Sequence, residues 1–175
     1  MTRPVRPLYI FAKPPFAVAE KIAAHPRFNR RRDSRLLHAT MLGLFDLADM
    51  PSDTLPQLMQ IMRDYEDHAF PLFFDRIEER RAVTLRSSEP LTQMIALQRR
   101  LVAFLADRDF PYFGDAPDPH ITINYWGDRK GAERIEPIGW LVDELLLVES
   151  PYGQTRHIVH DRWRLHCPGP ERVAA

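Results

Sequence analysis

Short runs of alternating apolar and polar residues dominate this chain, and a helical period interrupts them three times. Leu8-Tyr-Ile-Phe-Ala12 is aromatic and apolar, and Lys13-Pro14-Pro15 closes it, which predicts a first strand. Residues 16–24 have the composition of a short helix that ends at His25-Pro26. Residues 35–44 predict a second strand, followed by a loop over 46–52. Leu55, Leu58, Met59, Met62 and Tyr65 then recur at helical spacing, with Pro56 tolerated in the first turn. Residues 70–78 and 82–86 read as paired strands around the charged turn Glu79-Arg80-Arg81. Ser88 and Pro90 open the longest helix, whose stripe of Leu91, Met94, Ile95, Leu101, Val102 and Leu105 is core-facing and ends near Asp107. A Pro/Gly/Asp loop leads to a strand over 119–126. Two more strands, 143–149 and 156–165, flank a turn at Tyr152-Gly153.

The order β α β α β β α β β β predicts an α+β fold of largely antiparallel sheet. No Ser- or Gly-rich linker divides the chain, so a single domain over 1–166 is expected, with 167–175 as a flexible tail.

Within that frame one polar pattern occurs twice. His38-Ala-Thr40-Met lies on the second predicted strand and His120-Ile-Thr122-Ile on the later one. Residues two apart on a strand share a face, so each imidazole projects beside a hydroxyl. Leu37, Ala39 and Met41 point the other way in the first copy, Ile121 and Ile123 in the second. Chance would supply about 0.3 such spacings in a chain of this composition. The two copies lie close to half a chain apart, which predicts two similar lobes that each contribute one motif strand to a shared cleft.

Composition narrows the chemistry. Lys and Arg balance Asp and Glu at 24 each, so no global field exists to hold long nucleic acid. Locally, Asn29-Arg30-Arg31-Arg32-Asp33-Ser34-Arg35 sets four arginines just before the first motif, either a solvated loop or a phosphate-attracting rim. One cysteine, Cys167, cannot form an internal disulfide, and no apolar run approaches a membrane span. A soluble cytoplasmic protein is expected. Seven histidines raise zinc as a rival, but no cysteine pair exists and neither motif has a ligand partner at helical spacing. His157 and His160 are three apart, on opposite faces of a strand, and His25, His68 and His166 read as surface or capping residues. Neither a Gly-x-Ser-x-Gly elbow nor a glycine-rich phosphate loop is present.

The two motifs resemble those of the 2H phosphoesterase family, in its branch of RNA 2′,3′-cyclic phosphodiesterases, historically called 2′-5′ RNA ligases. Pro119 before the second motif, the opening strand 8–12, Leu145-Leu-Leu-Val-Glu149-Ser150 and Trp163-Arg-Leu165 extend the similarity over nearly the whole chain. The resemblance implies two pseudo-symmetric lobes with helices outside and the active-site cleft between them. It implies His38 and His120 as catalytic residues, with Thr40 and Thr122 binding phosphate, and neither metal nor cofactor. His120 is then the general base and His38 the general acid, opening a 2′,3′-cyclic phosphate on an RNA or nucleotide end to a 2′-phosphate. Reverse 2′-5′ ligation is the same chemistry run backwards. A monomer is expected. Many members of this branch carry an arginine five positions after the second motif histidine, where it contacts phosphate. Tyr125 stands there, leaving Arg129 or the arginines at 30–32 as replacements. Phe11 and Trp126 are candidates for stacking on a base; alternation would place Trp126 on the face of His120 and turn Tyr125 inward. Two other readings stay open: a phosphodiesterase for a small nucleotide, such as a cyclic ADP-ribose phosphate or a 2′-5′ oligonucleotide, and a non-catalytic RNA-end binder.

Overall fold

Half-buried strands of four to twelve residues cannot bury their apolar faces alone, and here they join in one eight-stranded sheet against three helices. The structure is a computed structural model that describes residues 5–112, 118–127 and 131–167. Its elements are β1 (Pro7–Ala12), α1 (Phe16–Ala23), β2 (Ala39–Asp46), α2 (Thr54–Met62), β3 (Phe70–Glu79), β4 (Val83–Arg86), α3 (Thr92–Ala106), β5 (Ile121–Asn124), β6 (Gly131–Val142), β7 (Glu144–Glu149) and β8 (Ile158–Arg164). The strand order is β6-β3-β4-β5-β2-β1-β7-β8, with every neighbouring pair antiparallel.

The sheet consists of two four-stranded halves. One is β6-β3-β4-β5 and the other β2-β1-β7-β8, so the two motif strands, β5 and β2, are the innermost of each half. They meet through a single register pair, Ala39 with Ile121. Beyond it the ladder stops and the seam between the halves opens.

One face of the sheet carries the core. Leu37, Ala39, Met41, Ile121 and Ile123 are fully buried there, as the alternation predicts, against Ile22 of α1, Leu58 and Met62 of α2 and Leu97, Leu101 and Leu105 of α3. Buried Gln98 of α3 reaches through this layer and donates from Nε2 to the Thr40 carbonyl at 3.4 Å. A second, smaller apolar cluster of Tyr9, Phe11, Leu146 and Val148 is built from β1 and β7.

One strand escaped the sequence reading. β6 contains Pro137 and Gly139 and is mostly solvent-exposed, so it lacks both the composition and the alternation of a buried strand. Its place at the sheet edge explains why that sequence is tolerated, since an edge strand leaves one row of backbone groups unpaired and accepts proline. Gly139 is needed for close approach: a Cβ there would sit 2.8 Å from the Leu72 carbonyl of β3. The motif strands are also displaced. Residues 34–36 form a single 3-10 turn and β2 begins only at Ala39, while β5 ends at Asn124, two residues before the expected Trp126.

Candidate active site

His38 and His120 occupy equivalent places, each one residue ahead of its strand. The Ala39–Ile121 pair fixes the register, so Thr40 falls across from His120 and His38 across from Thr122. Two imidazoles and two hydroxyls thus form a square on the face opposite the core, each histidine facing the other strand's threonine. All four side chains are half-buried.

The imidazoles are held alike. His38 Nδ1 lies 2.8 Å from the Leu36 carbonyl, and His120 Nδ1 lies 2.7 Å from the Asp118 carbonyl. A carbonyl only accepts, so each Nδ1 carries a proton and donates it. Each Nε2 is thereby left to take or give the proton that chemistry requires. Asp118 is itself anchored by an ion pair to Arg86.

The surroundings of His38 are aromatic and crowded. Phe11 stacks on its ring at a centroid distance of 3.8 Å and 16°, and Tyr9 stacks on Phe11 at 5.3 Å. His157 meets His38 edge-on at 5.1 Å. Burial among these rings pushes His38 down to about 3, against the pull of the Leu36 carbonyl, and the charges of Arg32 and Lys13 add to the fall. His157 is lowered to about 4, by burial first and then by Lys13 and Arg32. Both rings are therefore neutral in the free protein at neutral pH.

Arg32 bridges the open seam. Nη1 donates to the Thr122 carbonyl at 2.6 Å and Nη2 to the Leu36 carbonyl at 3.1 Å, so one guanidinium ties the two motif strands where the ladder has ended. The ring of Tyr125 lies 4.9 Å from its central carbon. Burial lowers the Arg32 pKa, and Tyr125 opposes the shift.

The structure thus brings together His38, Thr40, His120 and Thr122, and it changes the picture for the remaining candidates. Phe11 is 2% exposed and presents no open ring face to a base; its partner is the His38 imidazole. Trp126 is 82% exposed and lies beyond the end of β5, where Asn124 Oδ1 accepts from its backbone N–H. Tyr125 does not face inward: the strand ends before it, alternation no longer applies, and its ring is 57% exposed beside Arg32. Arg129 lies outside the described residues. Of the arginines at 30–32 only Arg32 reaches the cleft, while Arg30 and Arg31 are exposed. His157 and Lys13 were not legible as site residues. Neither lies in a motif, and the sheet order β2-β1-β7-β8 brings His157, the residue before β8, to His38. Among the described residues, no three His, Cys, Asp or Glu side chains converge as metal ligands.

Two histidines and two threonines thus face one another across paired strands, with both imidazoles tied to backbone carbonyls. The 2′-5′ RNA ligase superfamily model matches residues 12–152, and the chain belongs to that superfamily. Solved structures agree in fold. LigT of E. coli complexed with 3′-AMP superposes with a TM-score of 0.73 at 21% identity, covering 93% of this chain and 99% of that one. A structure described as a phosphoesterase gives 0.74 at 20% identity, covering 94% and 99%. TT0787 of Thermus thermophilus gives 0.69 at 16%, covering 92% and 98%. No curated protein matches the chain. Among the described residues, no helix is long and apolar enough to cross a membrane.

Proposed function

We propose that this protein is a cyclic phosphodiesterase that opens a 2′,3′-cyclic phosphate at an RNA or nucleotide end, with the bond to the 3′ oxygen breaking to leave a 2′-phosphate. The observation that carries the reading is the Nδ1 tether on both histidines, which frees two Nε2 atoms for proton transfer across one cleft. His120 Nε2 takes a proton from water as its oxygen attacks phosphorus. His38 Nε2–H protonates the departing 3′ oxygen. Thr40 and Thr122 donate to the non-bridging oxygens as charge builds on them. With a 5′-hydroxyl in place of water, the same groups would join two ends through a 2′-5′ bond.

The order of roles meets a condition at His38. Burial holds it neutral in the free protein, so a proton to donate must come with the substrate. A phosphate anion in the cleft favours the imidazolium and offsets Lys13 and Arg32, raising the His38 pKa. Superfamily membership and the nucleotide in the LigT complex support a nucleotide or RNA-end substrate.

The test is turnover of an oligonucleotide ending in 2′,3′-cyclic phosphate, followed by phosphorus NMR in the presence of chelator. A 2′-phosphate signal is expected. Binding of the oligonucleotide without any turnover would instead establish an RNA-end binder.

A further inference from the structure

Lys13 directly follows β1, and continuing the β1–β2 register sets it across from His38. Its ammonium is half-buried, and no carboxylate among the described residues pairs with it. Asp33 attracts it from a distance but is committed to Arg35 through contacts of 2.6 to 3.0 Å. Arg32 likewise has no carboxylate partner among the described residues. Two of its N–H groups go to carbonyls and it also hydrogen-bonds the Tyr125 side chain, so among the described residues uncharged acceptors alone hold the guanidinium. Cations held partly out of water and without counter-ions are costly unless an anion joins them. Both act on the same two neutral imidazoles, His38 and His157, which places their charge at the cleft.

We infer that Lys13 and Arg32 form the phosphate-holding pair of this cleft, one from the end of β1 and one from the loop before β2. The inference rests on the phosphodiesterase reading and specifies how that site holds its substrate. It also accounts for Tyr125. The related enzymes' arginine at that position would bring a second guanidinium beside Arg32 and repel it, whereas a tyrosine ring lies against Arg32 favourably. Two cations suit a dianion better than a monoanion, so the pair holds a phosphomonoester or inorganic phosphate more tightly than the cyclic diester.

Lys13 provides the clean test, because among the described residues its side chain makes no hydrogen bond. Inorganic phosphate is titrated into the full chain by calorimetry, alongside KM and kcat on the cyclic-phosphate oligonucleotide. Lys13→Met is expected to weaken phosphate by about tenfold, the loss of one charge-assisted hydrogen bond, and Lys13→Arg to restore most of it. Arg32→Gln is expected to weaken phosphate similarly, and adding Tyr125→Arg to that variant to recover affinity, which a purely structural role for Arg32 would not allow. Unchanged phosphate affinity and KM in Lys13→Met, with wild-type turnover intact, overturn the inference and leave the phosphodiesterase reading standing. Lys13-dependent phosphate binding by a protein that hydrolyses no cyclic phosphate does the reverse.

Discussion

His38 is the residue on which most of the physics of this site converges. Its Nδ1 is fixed by a backbone carbonyl, one face is covered by Phe11, and His157 meets it edge-on. Burial then favours the neutral ring, to about 3. In an NMR titration of the free protein, His38 is expected to stay neutral down to about pH 4. Saturating inorganic phosphate should move its titration up to near neutral pH, since His38 must hold a proton in order to donate one. If His38 remains neutral at pH 7 with phosphate bound, the acid and base roles are exchanged, with His38 accepting the first proton. Phe11→Leu opens the covered face. The variant is expected to cost about 1 kcal/mol of stability, as a volume-reducing change in a well-packed cluster, and to raise the His38 pKa toward its ordinary value. A full-length melt and the same titration check both parts.

At the scale of elements, the site is a consequence of where two strands stop pairing. β2 and β5 share one register pair, and the gap beyond it is spanned by Arg32 in place of further rungs. α3 lies behind this seam, its Leu97 and Leu101 in the core and its Gln98 on the Thr40 carbonyl. Leu97→Ala is expected to cost about 2 to 5 kcal/mol, the range for a fully buried leucine. It should lower the melting temperature without changing the Nδ1 tethers, so kcat at 25 °C should hold while the protein remains folded. The motif square was legible in the sequence because period-two alternation decides which side chains share a face. The apolar partners Ala39, Met41, Ile121 and Ile123 marked the opposite face. β6 was not legible, since an exposed edge strand with proline and glycine obeys no burial pattern. Tyr125 lies outward, not inward, and Phe11 lies against the His38 imidazole. Alternation was carried past the end of β5, and sequence alone could not show that β1 would lay Phe11 against an imidazole. Lys13 and His157 come near His38 through tertiary pairing, which leaves no local trace.

For the whole molecule, one core beneath both half-sheets means that the cleft and the fold share their stability. His38 and His157 bind protons less readily folded than unfolded, having fallen from an ordinary 6.5 to about 3 and about 4. The unfolded chain therefore takes up more protons below pH 6.5, and stability falls as pH drops from there toward 4. Each ring is expected to cost about 1 kcal/mol by pH 5, allowing for partial solvent access. The carboxylates of Asp33, Asp67 and Glu149 have lowered pKa values and stabilise the fold above their unfolded range, so their loss comes at more acid pH. Denaturant titrations between pH 7 and 5 should show the decline, and His157→Asn should flatten it.

The central claim is that two imidazoles share one reaction. It is tested most directly by the rate of cyclic-phosphate opening, measured in chelator across pH 5 to 9, for wild type, His38→Ala, His120→Ala and the double variant. The wild type should give a bell-shaped profile. Each single variant should lose about 10²- to 10⁴-fold in kcat, and the double variant should lose little more, because the two groups act as a unit. Either single variant retaining wild-type turnover, or activity that vanishes with chelator in the wild type, would contradict the account.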